Sequence, residues 1–152
     1  MKSVELDLSY SQFVFFQKDM ENPFNDWDEI SIKQGFSYRR DSIGIKTFHE
    51  YGKVKILVSN SIDRNEKAIR IIKFPFLVKN NGIEFSTVTE SFIYNLKNGN
   101  YEVLIQGWTE KDHVDVFQFS FIETDKKTEI EYLRYDPEIE ITKNFNLNAN
   151  PA

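Results

Sequence analysis

From Ser42 onward the chain alternates. Apolar residues recur at every second position in short runs: Val54, Ile56 and Val58 in KVKILVS, Tyr101, Val103 and Ile105 ahead of Gly107, and Phe117, Phe119 and Phe121 further on. A period of two marks a strand with one buried face. The pattern predicts strands over 42–48, 53–59, 68–78, 83–88, 91–96, 101–107 and 114–122, with a further one over 128–135. Turn residues separate the runs. Asn-Gly pairs favour tight hairpin turns, so Asn80-Asn81-Gly82 and Asn98-Gly99-Asn100 each predict a hairpin. Pro75 cannot donate a ladder hydrogen bond and places its strand at an edge or a bulge. Eight or nine short strands at this spacing predict a mainly all-β fold, an antiparallel β-sandwich with one short N-terminal α-helix.

The N-terminal part supplies the helix. Residues 4–10 alternate, with Val4, Leu6, Leu8 and Tyr10 on one face, and 12–17 form a second extended run that is aromatic on both faces. Asn22-Pro23 marks a turn. Asp26 followed by Glu29 has the spacing of a capping box, and Gly35 is placed to end the helix in the left-handed conformation. Such a helix has about two turns and is not stable alone. Trp27 and Ile30, three apart, are expected to pack together on the sheet.

Length and composition bound the rest. With 152 residues the chain suits a single domain, expected over 1–142, with the Asn-rich 143–152 as a frayed tail. There is no cysteine, which excludes disulfides and thiolate metal sites. No apolar run is long enough for a membrane span, and Glu5 and Asp7 stand where a signal peptide would need an apolar stretch. The cytoplasm is the expected location. The net charge of −5 is unevenly spread. Residues 1–32 carry two basic and seven acidic side chains, 33–79 eleven and four, and 80–152 six and thirteen. Either the acidic flanks pair with the basic middle inside the fold, or an acidic face is offered to a basic partner. Direct nucleic-acid binding is disfavoured, because only the middle is basic and it lacks an Arg-rich or aromatic-platform motif.

The inventory of catalytic residues is short. The two histidines, His49 and His113, show no metal-ligand spacing, and His113 reads as a loop residue among charged neighbours. No phosphate-binding loop or nucleophile motif is present. No cofactor and no metal is expected, and the chain does not read as an enzyme. Both tryptophans, Trp27 and Trp108, fit core or half-core positions. The unusual stretch is Gln12 to Gly35, where four phenylalanines and Trp27 stand among five carboxylates. Asp19, Glu21, Asp26, Trp27, Asp28 and Glu29 are the candidate partner-binding residues, since surface aromatics are typical hot spots of protein interfaces. A Ca²⁺ or small-ligand site built from the same carboxylates is the alternative from another class, although the spacing and turn glycine of an EF-hand are missing.

Leu8-Ser9-Tyr10-Ser11-Gln12-Phe13, Phe16-Gln17-Lys18-Asp19, Asp26-Trp27 and Gly35 resemble the competence protein J family, also described as DNA-entry nuclease inhibitors. Pro75 to Val78, Asn81 to Ile83 and Gly99 to Tyr101 follow in matching order. The resemblance runs from about Leu6 to Ile122. It implies a small cytoplasmic protein that binds and inhibits a DNA-entry nuclease, so function would lie in a protein–protein surface. An immunity-like inhibitor of another toxin or nuclease is the related alternative. The segment from about Thr124 to Ala152 is additional to a typical member, and residues 123–140 hold seven acidic and three basic side chains.

Overall fold

The computed structural model describes residues 1–141 and 144–152. They form strands β1 (Lys2–Leu8), β2 (Gln12–Gln17), β3 (Phe36–Arg39), β4 (Ser42–Lys46), β5 (Gly52–Ser59), β6 (Arg70–Val78), β7 (Gly82–Ser86), β8 (Ser91–Asn95), β9 (Gly99–Glu110), β10 (Val114–Glu123) and β11 (Glu131–Arg134). One short helix, α1 (Glu29–Gln34), precedes β3. Two sheets result, one in the order β1-β5-β10-β9-β6-β11 and the other β3-β4-β2-β7-β8. The mainly-β sandwich expected from the alternation is therefore present.

Two features of the topology differ from expectation. The β6–β7 and β8–β9 connections are not hairpins. β6 and β9 belong to the first sheet and β7 and β8 to the second, so each Asn-Gly turn carries the chain across the sandwich. Asn81 does take the left-handed conformation (φ 57°). The local turn chemistry is as expected, but it does not choose the pairing partner. The hairpins are instead β3–β4, β7–β8 and β9–β10. The sheets are also not wholly antiparallel, because β10 runs parallel to β5. β3 has only four residues, too short a run for its Phe36/Tyr38 alternation to mark a strand in the sequence. Pro75 lies in a strand one position from the sheet edge, paired with Glu102 of β9 on one side, while β11 pairs only with Ile71 to Lys73 and leaves the other side of β6 without a strand partner beside the proline.

The facing surfaces of the sheets bury a core of rings. Phe15 meets Phe119 edge-on at 5.2 Å and Phe36 meets Phe74 at 4.8 Å, the T-shaped arrangement that aromatic quadrupoles favour. Both outer faces are partly covered as well. On the first sheet, residues 60–69 lie over β9 and β10. The carbonyl of Asp63 accepts from Gln106 Nε2 (2.8 Å) and Gln118 Nε2 (2.9 Å), and Trp108 is buried with Leu104 and Val116. On the second sheet, Val14 and Phe16 point outward from β2 yet are buried, as an extended run that is apolar on both faces requires. The segment that leads from β2 to α1 covers this side.

Of residues 143–152, expected as a tail, residue 143 lies outside the described residues, and the described C-terminal residues are bonded to the rest of the fold. From β11 the chain passes to Asp136, which forms a two-pronged ion pair with Arg70 (Nε–Oδ1 2.7 Å, Nη2–Oδ2 3.0 Å). Ile139 is buried against Gly35. Phe145 packs on Phe36 and Tyr132. Further on, Ala149 N–H donates to the Tyr38 carbonyl at the free side of β3, Asp26 N–H donates to Asn150 and Ala152 N–H donates to Phe24. This strap joins the β11 edge of one sheet to the β3 edge of the other. Asparagine-rich composition suggested disorder, but here asparagines serve as hydrogen-bonding anchors.

Candidate partner-binding site

Asn25 holds the segment between β2 and α1 in place. Its buried side chain donates to the carbonyls of Ser37 and Ser42 (both 2.9 Å) and accepts from Arg39 Nε (2.8 Å). Ser37 Oγ donates to the Asp26 carbonyl (2.6 Å), and Ser42 Oγ donates to that of Pro23. Residues 23–27 are thereby laid along the outer side of β3 and β4. Trp27 ends this run. Its Nε1 donates to Gln12 Oε1 at 2.8 Å, and its ring lies over Gly44, where an added Cβ would come within 3.1 Å of Cζ2. Glycine at 44 is what allows the indole to rest on the sheet.

The helix begins two residues later than the capping box implies. Asp28, not Asp26, is the N-cap, and its Oδ1 accepts from Ser31 N at 2.7 Å. That bond holds the Asp28 carboxyl below its ordinary value. The other oxygen accepts from Asn146 Nδ2 at 2.7 Å, so Asp28 also anchors the strap. The Asp26 N–H is already committed to Asn150, which keeps the chain extended there. Glu29 becomes the first helical residue and pairs with Lys33 at 3.4 Å. Gly35 ends the helix as expected, at φ 87°. The buried side of α1 is polar, made of Ser31 and Gln34, while Ile30 is exposed. Gln34 bonds to Phe36 and to Asn146, so the helix is fastened by hydrogen bonds and the strap instead of a Trp27–Ile30 contact.

The candidate residues do not form one cluster. Trp27, Asp28 and Glu29 stand with Asp26 at the α1 end of the sheet. Asp19 and Glu21 follow the far end of β2, a strand of about 17–20 Å. There Asp19, at φ 63°, donates its N–H to Glu84 Oε1 (2.9 Å). Both are exposed.

Beside Trp27 lies a hollow of about 300 Å³ lined by Tyr10, Ser11, Gln12, Trp27, Ile32 and Lys46. Tyr10 and Ile32 are 61% and 47% exposed, so three large apolar side chains meet solvent together. Tyr10 had been expected on the buried face of the first strand, but β1 ends at Leu8 and releases it. Sequence reasoning also missed Ile32; a single isoleucine on a two-turn helix gives no signal of which side it takes.

Much of the charge is used inside the fold. Lys33, Lys46, Lys53, Arg70 and Lys73, all from the basic middle, pair with carboxylates of the acidic flanks. His49 is not a solvated loop residue. Its Nδ1 lies 2.6 Å from the fully buried Asp115, which also accepts from the N–H groups of Phe48 and His49. His113 contacts the His49 ring edge-on at 4.8 Å. Among the described residues no three His, Asp or Glu side chains converge on a metal position, and none of the described helices is long and apolar enough to cross a membrane.

Three similarities bear on what such a surface does. The chain is 28% identical over 109 residues to the DNA-entry nuclease inhibitor of Bacillus subtilis (strain 168), covering 71% of this chain and 81% of that protein. The crystal structure of ComJ from Bacillus subtilis, described as an inhibitor of the DNA-degrading activity of NucA, superposes with a TM-score of 0.74 at 26% identity. That alignment covers 82% of this chain and 96% of the other. A protein described as crocagin biosynthetic gene J shares the fold alone, with a TM-score of 0.50 at 12% identity over 78% of this chain and 94% of its own. The family described as Competence protein J (ComJ) matches residues 5–132; these comprise β2 to β10, α1 and the second half of β1, and end within β11. The chain belongs to the Competence protein J family.

Proposed function

We propose that the protein is a non-catalytic inhibitor that binds a DNA-entry nuclease through the surface centred on Trp27. Asp26, Asp28 and Glu29 supply its acidic character beside Trp27, and Asp19 and Glu21 add charge at the far end of β2. The observation that carries this reading is the Trp27 hollow, in a member of a family that includes an inhibitor of NucA. Trp27 is fixed from behind by Gln12 and supported by Gly44, so little side-chain freedom is lost when a partner covers it. A nuclease that grips DNA presents a positive cleft, and carboxylates around an apolar anchor complement it while speeding encounter.

The test is DNA digestion by NucA and other DNA-entry nucleases with and without a molar excess of the protein. Inhibition of at least one is expected, and undiminished digestion by all would overturn the reading. Replacing Trp27 by Ala is expected to weaken inhibition by about 10-fold or more, as removal of an aromatic hot spot does. Joint replacement of Asp19, Asp26 and Asp28 by Lys is expected to lower inhibition most strongly at low salt.

A further inference from the structure

We infer that the C-terminal strap sets the charge at the rim of the Trp27 hollow and thereby selects which basic protein surface docks there; this rests on reading that hollow as the partner surface. The cations at the hollow are Lys46, which lines it, and Lys33, next to Ile32 on α1. Glu29 is the one carboxylate outside the strap that pairs with either of them among the described residues. The strap brings two more. Glu138 Oε2 lies 3.8 Å from Lys46 Nζ, and Glu140 Oε2 lies 3.8 Å from Lys33 Nζ.

The strap divides its labour between buried and exposed residues. Asp136 and Ile139 are buried and hold it down, one on Arg70 and the other on Gly35. Glu140 N–H donates to the Lys33 carbonyl at 2.8 Å and fixes the register. The side chains of Glu138 and Glu140 remain 46% and 68% exposed. Glu138 Oε2 also lies 3.5 Å from Arg70 Nη2, but its pair with Lys46 and that of Glu140 with Lys33 are open and long and add little to stability. Their effect is electrostatic. They neutralise the two lysines and turn a rim that would be mixed in sign into an acidic one, around the exposed apolar surfaces of Tyr10, Trp27 and Ile32. Exposed rim charges act mainly on association rate and on the rejection of partners of like sign. The strap lies beyond residue 132, outside the family match, so Glu138 and Glu140 add to a rim whose other carboxylates lie within it. The occupant that fits is a protein segment with an aromatic or aliphatic anchor flanked by Lys or Arg.

The experiment uses the full chain with Glu138→Gln and Glu140→Gln together, which keeps Asp136 and Ile139. Association with NucA, or with whichever nuclease the protein inhibits, is followed at low salt and near 1 M salt. A loss of about 3- to 10-fold in association rate is expected at low salt and should vanish near 1 M, where the screening length is only about 3 Å. Circular dichroism should show an unchanged fold. The control is Asp63→Asn with Glu66→Gln, a pair in the segment over the other sheet, and it should leave the rate unchanged. If the strap variant associates like the wild type at low salt while Trp27→Ala still weakens inhibition, the strap inference is overturned and the docking surface stands. If the control pair slows association equally, overall charge governs the rate and the inference is overturned. If the wild type inhibits no nuclease, the docking surface falls and takes the inference with it.

Discussion

Arg70 is the most confined cation among the described residues. It is 2% exposed, grips Asp136 with two hydrogen bonds and sits 4.4 Å above the Phe48 ring. Burial pushes the Asp136 carboxyl up, but the hydrogen bonds and charge of Arg70 outweigh it and hold the group below its ordinary value. A carboxyl lowered in the folded state contributes stability above its unfolded value, near 3.9, and loses it as pH falls through the folded one. Stability is therefore expected to decline from about pH 5 downward. In a variant with Arg70→Met and Asp136→Leu, part of that decline should disappear when urea midpoints are compared across pH. Asp136→Asn alone, which leaves the guanidinium only Glu138 at 3.5 Å as an anionic partner, is expected to cost about 3 kcal/mol by urea unfolding at neutral pH. Gly44 is the second telling residue. Gly44→Val suits a strand but drives the indole off the sheet, so inhibition should fall with little change in circular dichroism.

At the scale of elements, α1 shows what the sequence could and could not reveal. Its existence and its Gly35 terminus were legible, because a left-handed glycine after a short polar-apolar run has one common use. Its start was not, because Asp26 and Asp28 both qualify as caps. The choice is made by a hydrogen bond from Asp26 N–H to the carbonyl of Asn150, over a hundred residues away. Asp28→Ala removes both the cap and the Asn146 bond and is expected to destabilise by about 1 kcal/mol. The strap was illegible for a related reason. An asparagine whose side chain bonds to a distant carboxylate, as Asn146 does to Asp28, looks the same in sequence as one bonded to water. Ending the chain after Tyr135 would leave Arg70 unpaired and bare the free edge of β3. The expected outcome is a lower thermal midpoint together with self-association by light scattering, since open sheet edges template pairing.

For the whole molecule, the alternation of Phe117, Phe119 and Phe121 and of Val54, Ile56 and Val58 showed which faces are buried, and the structure agrees. Assignment of strands to sheets was beyond that signal. A turn at Asn81 reverses the chain whichever sheet follows, and the parallel β5–β10 pairing joins strands more than fifty residues apart. The charge blocks were legible as blocks, while the closing of Lys33 and Lys46 by the far end of the chain was not. The site was legible in part: Trp27 and its carboxylates stood out, but the hollow depends on Tyr10 and Ile32 being left uncovered.

One arrangement carries a practical consequence. The two tryptophans lie on opposite sheets, Trp27 half-covered at the hollow and Trp108 buried beneath residues 60–69. Their emission should differ in colour and in access to a dissolved quencher. With Trp108→Phe, the remaining indole becomes an optical probe of docking, blind to the far sheet. With Trp27→Phe, the other reports only whether that sheet is still closed. A single chain thus offers separate readouts for binding and for unfolding, with no label attached.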